Sequence, residues 1–550
     1  NRQIEEYASN GTRASYTWNC CAKESETLAD GTQYTYVYDA TRRLVSKTKI
    51  GGPTETYEYD AAGHRVKVTV TGGELSMVST KEYNLAGQVT KQTDFQGLVT
   101  TYQYVNGVNT GSQRHGLKQI TTQPGGLTTI LDTACDGNVS SITGTAQVSS
   151  YYTYGIGQNG TQWQKLNMGG SDSARWQKNT TDLLGRNILQ ERSGYNGTVT
   201  QQNFYNNQGL VIRREQTGIA PTLYKYDSLG NVIRQGLDVD NSNTLELAGN
   251  DRITDYDISL NNTWKTVTTK TYGTNGSADA TVISIQKERL SGFTNSVIAE
   301  KQITDIHGNV TTTTRSIDRS AKTVTTTTEY PDSIISAQII TVNRLKNSER
   351  TKTGLTTTYA YDGLGRVITV NEPRIGTTSI TYHTAAGKNG LKATVTNAAG
   401  NMTSYDYDTT NGRLLWEKNA LNQYTRYAYN ALGQVTNIWG DTQYPVEFGY
   451  DQFGQNTTMR TYRMNAAWNG TTWPTDVNGD LTAWSYDEAS GLVTAKTDAN
   501  NKSVTYSYTI DGKLATRTWA RGIITTYTYS STTGELLNVD YADDTPDITY

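Results

Sequence analysis

Threonine and tyrosine alternate with other residues in short runs that recur along the chain. One run is Thr425–Tyr429, and a shorter one is Thr505–Tyr508. Side chains two residues apart lie on the same face of a strand, so Tyr427 and Tyr429 point the same way. Thr and Tyr both favour strands. Because no long stretch has a 3.6-residue hydrophobic period, the sequence predicts an all-β protein with almost no helix.

A tight turn follows many of these runs. After Tyr361, Asp362 ends the strand because its side chain caps the following backbone. Gly365 supplies a positive φ at low cost, and a new strand begins at once with Arg366 and Val367. Several successive copies are 21 residues apart. The motif residues of four copies are Tyr59, Asp60 and Gly63; Tyr226, Asp227 and Gly230; Tyr361, Asp362 and Gly365; and Tyr429, Asn430 and Gly433.

The repeating unit is therefore a β-hairpin. One hairpin is only marginally stable in water, whereas stacked copies shield one another as in a solenoid. Ladders of tyrosine would add roughly 0.2–1 kcal/mol for each cross-strand contact. We predict a β-hairpin solenoid, a curved sheet in which residues 1–550 form one continuous domain with irregular stretches at about 105–180 and 236–300. A tyrosine-lined binding groove is the alternative interpretation of the same rings.

The motif Tyr-Asp-x-x-Gly-Arg/Asn/Gln-Val closely resembles the YD repeat of the RHS family. That family includes bacterial polymorphic toxins, the B and C components of Tc toxin complexes, and the teneurins. The resemblance implies a sheet that spirals into part or all of a hollow shell. In the toxin members the shell encloses a C-terminal effector, and in teneurins a related shell serves cell adhesion. Clear copies fall in about 30–104, 180–235, 300–312 and 355–550.

The resemblance also implies a bacterial protein that is secreted or displayed on the cell surface. The chain has no Met start, and we expect it to be a fragment of a longer protein. Its partner would then be its own missing C-terminal effector or another cargo. The family's self-cleaving aspartates lie in a Pro/Asp/Gly segment that has no match here, since Pro546 and Asp547 lead into what looks like another repeat.

Composition agrees with a thin β architecture. Hydrophobic residues make up 35% of the chain, with 38 Tyr against 5 Phe and 5 Met, which suits layers of tyrosine better than a thick aliphatic core. The net charge of −3 shows no excess of positive charge of the kind that binds nucleic acid. No apolar run is long enough for a membrane span. Cys20 and Cys21 are adjacent, an arrangement that rarely forms a bridge, and with Cys135 they make no disulfide framework.

One loop resembles the start of a calcium-binding loop of the EF-hand type. Calcium prefers six to eight oxygen ligands, which such spacing directs inward. The candidate ligands are Asp238, Asp240, Ser242, Thr244 and Glu246. Gly249 stands where a bidentate Glu belongs, Asp251 comes two residues late, and no flanking helices are expected. The alternative is a polar loop rich in Asx turns. Residues 476–480 are a weaker echo of the same pattern.

No catalytic set is recognisable. The four histidines are His64, His115, His307 and His383, two of them inside repeat turns, and no nucleophile elbow, zinc-binding helix or phosphate loop occurs. We therefore predict a non-catalytic, structural and encapsulating wall. The alternative is an extracellular adhesin that binds carbohydrate or a surface protein through aromatic faces; Trp439, Trp468, Trp473 and Trp484 are candidate platforms, with packing between layers as the other interpretation.

Overall fold

The computed structural model describes residues 4–8, 10, 12–106, 115–274, 276–293, 296–463, 468, 470–474 and 478–550. Within these ranges the protein has 46 β-strands, no α-helix and a single 3-10 turn at Gln158–Gly160. The strands belong to one antiparallel sheet in which hairpin follows hairpin. The predicted all-β hairpin solenoid is confirmed.

The first 23 strands run from β1 to β23 in chain order. They are Glu5–Tyr7, Arg13–Trp18, Lys23–Thr27, Gln33–Tyr38, Leu44–Lys49, Thr54–Tyr59, Arg65–Gly72, Leu75–Tyr83, Val89–Thr93, Val99–Asn106, His115–Thr122, Thr128–Ala134, Val139–Thr143, Ser150–Ile156, Gln162–Met168, Trp176–Thr181, Asn187–Gly194, Gly197–Tyr205, Val211–Gln216, Ile219–Tyr226, Val232–Leu237, Arg252–Leu260 and Trp264–Tyr272.

The remaining 23 strands are β24 to β46. They are Ala280–Arg289, Val297–Thr304, Val310–Asp318, Thr323–Glu329, Ala337–Val342, Leu345–Arg350, Thr356–Tyr361, Val367–Glu372, Gly376–Tyr382, Lys392–Thr396, Met402–Tyr407, Leu414–Lys418, Tyr424–Tyr429, Val435–Gly440, Gln443–Tyr450, Asn456–Tyr462, Gly479–Tyr486, Val493–Thr497, Ser503–Tyr508, Leu514–Thr518, Ile524–Tyr529, Leu536–Tyr541 and Ile548–Thr549.

A bulge marks the end of the strand that carries each motif tyrosine. Between β30 and β31 the register shifts just before Tyr361, and between β20 and β21 it shifts just before Tyr226. A three-residue hairpin loop with one residue of positive φ produces such a bulge. The register of each hairpin is thus fixed by its turn, which keeps the alternation of faces constant from one repeat to the next.

The chain divides into two compact units, each built from three segments. Unit 1 contains residues 1–101, 256–270 and 282–422, and unit 2 contains residues 102–255, 271–281 and 423–550. Four of the five boundaries fall inside strands, as in β10 and β22. The single continuous domain stays a prediction.

Few apolar side chains of the described residues are fully buried. Those that are buried lie on separate strands, so no thick core forms: Tyr57, Val199, Ala220, Ile253, Val324, Tyr462 and Val539. In the same ranges, no helix has the length and hydropathy needed to cross a membrane. The bulk of this sheet is stabilised by backbone pairing and by half-buried aromatic and threonine side chains.

Candidate functional site

The repeated turn has the same backbone hydrogen bonds in copy after copy. In the turn after Tyr361, the Asp362 N–H donates to the carbonyl oxygen of Arg366 at 2.9 Å, and the Gly365 N–H donates to that of Asp362 at 2.9 Å. Gly365 has φ +83°, a conformation that is costly for residues with a Cβ. The structure therefore places glycine where the sequence predicts a positive φ.

The aspartate of the motif closes this turn with its side chain. Oδ1 of Asp362 accepts the N–H groups of Leu364 at 3.0 Å and Arg366 at 2.9 Å. Its Oδ2 accepts Nε of Arg366 at 2.7 Å. Both carboxylate oxygens are therefore engaged within the turn, so the aspartate both ends one strand and fixes the start of the next.

The other predicted copies follow the same pattern. Oδ1 of Asp60 accepts the His64 N–H at 2.8 Å, and Oδ1 of Asp227 accepts the Asn231 N–H at 2.9 Å. Hydrogen bonds from the side chains of His64 and Asn231 hold the pKa values of Asp60 and Asp227 below the usual range. The glycines of the predicted copies all have positive φ: Gly63 at 91°, Gly230 at 85°, Gly365 at 83° and Gly433 at 82°.

Tyrosine hydroxyls join each repeat to the one before it. The Tyr361 hydroxyl donates to the backbone carbonyl of Lys346, fifteen residues earlier, at 2.7 Å. Lys346 lies in β29, a strand of the preceding hairpin, whereas Tyr361 lies in β30. The hydrogen bond therefore joins one repeat to the repeat before it. Seven further pairs have the same spacing at 2.6 to 3.0 Å: Tyr59–Leu44, Tyr154–Val139, Tyr226–Val211, Tyr382–Val367, Tyr450–Val435, Tyr508–Val493 and Tyr529–Leu514.

These bonds explain why the motif uses tyrosine. Phenylalanine would bury a similar ring but would leave the carbonyl of the preceding repeat without this donor. Burial also raises the pKa of Tyr361 and Tyr226, so the hydroxyl stays protonated and able to donate. The predicted tyrosine ladder is thus fastened by hydrogen bonds, a role that side-chain alternation alone does not reveal.

The residue after the motif glycine forms a second link to the following repeat. The Arg366 guanidinium, held by Asp362, lies over the ring of Tyr382 at 4.4 Å. The His64 imidazole stacks on Tyr83 with the ring centroids 4.6 Å apart. In the sequence this position varies among Arg, Asn, Gln and His. The sequence signal for this contact is the kind of side chain, because Arg, His, Gln and Asn all present a flat polar group that can reach a neighbouring aromatic ring or carbonyl.

Hairpin ends that are far apart in sequence also meet within unit 1. Lys49 Nζ donates to the carbonyl of Asn343 at 2.5 Å, and Asn343 Nδ2 donates to that of Ile50 at 3.1 Å. At Gly72 a Cβ would lie 2.0 Å from the carbonyl oxygen of Gly363. Two glycines therefore let two turns touch backbone to backbone. We call these contacts the lateral seam of unit 1.

Unit 2 has a lateral seam of its own. The Ala220 N–H donates to the carbonyl of Thr532 at 2.7 Å. The Arg175 guanidinium lies 3.8 Å from the centroid of the Phe453 ring, and the same ring would meet a Cβ on Gly169 at 2.7 Å. An apolar residue at a turn tip thus packs against a glycine of a distant hairpin, a contact that no local sequence pattern reports.

The predicted calcium loop connects β21 to β22. Asp238, which is fully buried, accepts the N–H groups of Ser242 at 2.8 Å and Asn243 at 2.9 Å. Asp251 is 2% exposed and accepts the Glu246 N–H at 2.9 Å. Burial raises the pKa of Asp251. Both aspartates therefore order the loop through the backbone.

The same loop gathers part of the predicted ligand set. One carboxylate oxygen each of Asp238, Asp240 and Asp251 lie within 4.8 Å of one another. Glu246 accepts hydrogen bonds from the hydroxyls of Thr244 and Ser242, and the bond from Thr244 lowers its pKa. Asp251, two residues late in the sequence pattern, joins the cluster because the loop folds back on itself. Calcium binding there stays a prediction. In the second, weaker match to the calcium-loop pattern, at residues 476–480, residues 476 and 477 lie outside the described residues.

The candidate chemistry elsewhere serves packing. Nε2 of His383 lies 2.9 Å from the carbonyl oxygen of Tyr405. The rings of Trp439 and Trp473 meet edge to face at 5.7 Å, and Lys496 lies over Trp484 at 5.8 Å. Trp468 donates to the Thr472 carbonyl at 3.2 Å, and the side chain of His115 lies outside the described residues. Carbohydrate binding by these tryptophans stays a prediction.

Comparison with known proteins gives structural likeness without a sequence relative. No family model and no curated protein match the chain. It is similar to a chain of the Photorhabdus luminescens Tc holotoxin pore, with 11% identity and a TM-score of 0.44 over 100% of this chain and 38% of that one.

Two crystal structures of Tc toxin chains are also similar. For TcdB2–TccC3–Cdc42 the identity is 11% and the TM-score 0.28, over 100% of this chain and 40% of that one. For TcdB2–TccC3 without its hypervariable C-terminal region they are 13% and 0.30, over 98% and 38%. The chain thus spans about two fifths of the length of these Tc toxin chains.

Proposed function

We propose that this chain is a non-catalytic structural wall that shelters a cargo or effector located outside it. The observation that carries the proposal is the tyrosine joint, in which the hydroxyl of one repeat donates to the backbone of the preceding repeat. Such a joint holds hairpins in a fixed sequence without needing a thick core. A wall requires cohesion of this kind over a long distance, whereas a binding site requires it at one place only.

The lateral seams support the same proposal. Within unit 2, a turn tip at Phe453 fits against Gly169, and the backbones at Ala220 and Thr532 are hydrogen-bonded. Each of these hairpins is therefore fastened along the sheet by strand pairing and at its end by a distant hairpin. Fastening in two directions turns a string of marginal hairpins into a surface that resists bending and local opening.

The use of reactive side chains is consistent with a role without catalysis. His64 is held by Asp60 at 2.9 Å and stacked on Tyr83, and the ring of His383 meets that of Tyr407 edge to face. Both imidazoles therefore make ring contacts with a tyrosine further along the chain. The adhesin that binds carbohydrate or a surface protein stays the alternative.

A cryo-electron microscopy map of the full chain tests the proposal. We expect density one sheet thick that borders a volume of low density, as a sheltering wall requires. Two sheets packed face to face, with side chains filling the space between them, would contradict it. A glycan array and a pull-down on the same preparation test the adhesin, and specific hits together with a filled interior would favour it over the wall.

A further inference from the structure

Two adjacent cysteines occupy the tip of the hairpin between β2 and β3. The Asn19 N–H donates to the carbonyl of Ala22 at 3.1 Å. Oδ1 of Asn19 accepts the N–H groups of Cys21 at 3.0 Å and Ala22 at 2.9 Å. The turn is a shortened form of the repeat turn, capped in the same way by an Asx side chain. The cap holds the backbone on both sides of Cys20 and Cys21.

The two sulfur atoms of this turn lie close together and face solvent. Sγ of Cys20 is 2.6 Å from Sγ of Cys21, and both residues are exposed. The two thiols are therefore near enough for one to attack a mixed disulfide formed on the other. The capped turn thus counteracts the usual tendency of neighbouring side chains to point apart.

We propose that Cys20 and Cys21 form a redox-active vicinal dithiol whose substrates are small disulfides of the glutathione type. The thiolate of one cysteine attacks a sulfur of the external disulfide, forms a mixed disulfide and releases one small thiol. The second cysteine then attacks its neighbour's sulfur, closes the Cys20–Cys21 bond and releases the second small thiol. Both cysteines are oxidised, the external disulfide is reduced, and the two protein protons end on the released thiols.

The disulfide between Cys20 and Cys21 is expected to form reversibly. Adjacent Cα atoms are about 3.8 Å apart across a trans peptide, which is less than the roughly 4.4–6.8 Å usual for disulfides. Strained and exposed disulfides are the labile ones. The site therefore suits a group that exchanges with its surroundings, and it differs from the disulfides that hold secreted domains together.

Cys135 provides an internal reference. It is also exposed and lies next to a turn in which Asp136 accepts the Asn138 N–H at 3.0 Å. Its neighbours in the sequence are Ala134 and Asp136, neither of which has a sulfur atom. Cys135 can take up one small thiol but has no adjacent thiol to resolve the mixed disulfide, so the difference between the two sites isolates the effect of the neighbouring sulfur.

The test uses the full chain, reduced and then exposed to oxidised glutathione, alkylated after acid quenching and analysed by peptide mass spectrometry. We expect the peptide with Cys20 and Cys21 to lose two hydrogen atoms and to carry no alkyl group or glutathione. The Cys135 peptide should carry a glutathione adduct. If Cys20 and Cys21 instead carry separate adducts or alkyl groups when Cys135 is already modified, the proposal is wrong.

A second probe avoids any dependence on the oxidant. Phenylarsine oxide bridges two neighbouring thiols and should bind the reduced chain and Cys135→Ser equally. It should not bind Cys21→Ser, which keeps the turn but lacks the second sulfur. Equal binding to Cys21→Ser, or no binding to the reduced wild-type chain, would overturn the proposal. Both substitutions are at exposed turn positions, and unchanged circular dichroism verifies that the variants are folded.

Discussion

The turn after Tyr361 and the loop between β21 and β22 use the same local chemistry with different electrostatic outcomes. In both, an aspartate carboxylate accepts two backbone N–H groups. Asp362 also pairs with Arg366 at 2.7 Å. Asp238 is buried beside Asp240 and Asp251, and in the described part of the chain none of the three carboxylates has a basic group within 4.0 Å.

The comparison shows what makes the turn repeatable. A half-buried carboxylate is stabilised by hydrogen bonds or by a compensating charge, and in the repeat turn the residue four positions later supplies one or the other: the guanidinium of Arg366 or the amide of Asn231. In the loop, backbone N–H groups take this part, donating to Asp238 and Asp251. A turn that supplies its own side-chain donor can be copied many times, whereas the loop needs its particular backbone path.

The largest expected effect comes from removing the buried cap of the loop. Asp238→Ala removes the carboxylate that accepts the Asn243 N–H and leaves the Ser242 N–H with only Asp240 as acceptor, at 3.1 Å, at a cost of about 1–3 kcal/mol. Hydrogen exchange should rise throughout residues 238–251. The control is Asp240→Ala, because Asp240 is exposed; equal effects in both variants would show that burial does not govern the loop.

Calcium sharpens the same comparison. If Asp238, Asp240 and Asp251 hold Ca²⁺, free calcium at about 100 times its Kd should stabilise the loop by about 2.7 kcal/mol, and EDTA should reverse the effect. Exchange in residues 238–251 is the readout, and the turn at 362–366 is the internal reference. Identical exchange with calcium and with EDTA would end the calcium prediction.

The glycine of the repeat turn comes next. Gly433 has φ +82°, so Gly433→Val should cost about 1–2 kcal/mol or more because a β-branched residue resists this conformation. Gly433→Asn should cost less, since Asn422 and Asn501 already have φ values of 62° and 58° in similar turns. Local exchange across β36 and β37 measures both, and an unchanged valine variant would contradict the turn geometry.

Lowering the pH should change the stability contributed by Asp39 and by Asp251 in opposite directions. Hydrogen bonds from Arg43 lower the pKa of Asp39 in a repeat turn to about 2. Its stabilising contribution is present above the unfolded pKa of about 3.9 and is lost as the pH falls towards about 2. The raised pKa of Asp251 has the opposite consequence, since its contribution is present at low pH and lost as the pH rises through the folded value.

Exchange measured from about pH 6 down to about 2 checks this difference, with rates corrected for their intrinsic pH dependence. The turn around Asp39 should open more readily as the pH falls, while the Val239 N–H, which donates to Asp251, should not become less protected. Asp39→Asn should remove most of the response in the turn. A common response in both regions would mean that the two carboxylates share one environment.

The sequence predicts the turn because every part of it is local. Asp362 and Gly365 are separated by three positions, and their roles follow from the backbone alone. The acceptor of the Tyr361 hydroxyl is not local in this sense, although the ratio of 38 Tyr to 5 Phe was a signal that hydroxyls matter. A pattern within one hairpin does not report which carbonyl of the preceding hairpin a ring will reach.

The seams and the acidic cluster lie further beyond sequence reasoning. Gly72 and Gly363 meet because two hairpins pass close together, and nothing near either residue encodes the other. Asp251 falls outside the linear spacing of a calcium loop but joins Asp238 through the fold. In both cases the geometry arises from the path of the chain between the residues, which composition and periodicity do not determine.

The most direct test of the tyrosine joint is Tyr361→Phe, followed by hydrogen exchange in β29, the strand that contains Lys346. We predict faster exchange there, with a loss of about 0.5–1.5 kcal/mol in local opening free energy, because the hydroxyl of one repeat fastens the preceding one. Tyr444→Phe, at a ring that is 61% exposed, should change nothing comparable. Unchanged exchange in β29 would show that the repeats are not joined by their tyrosines.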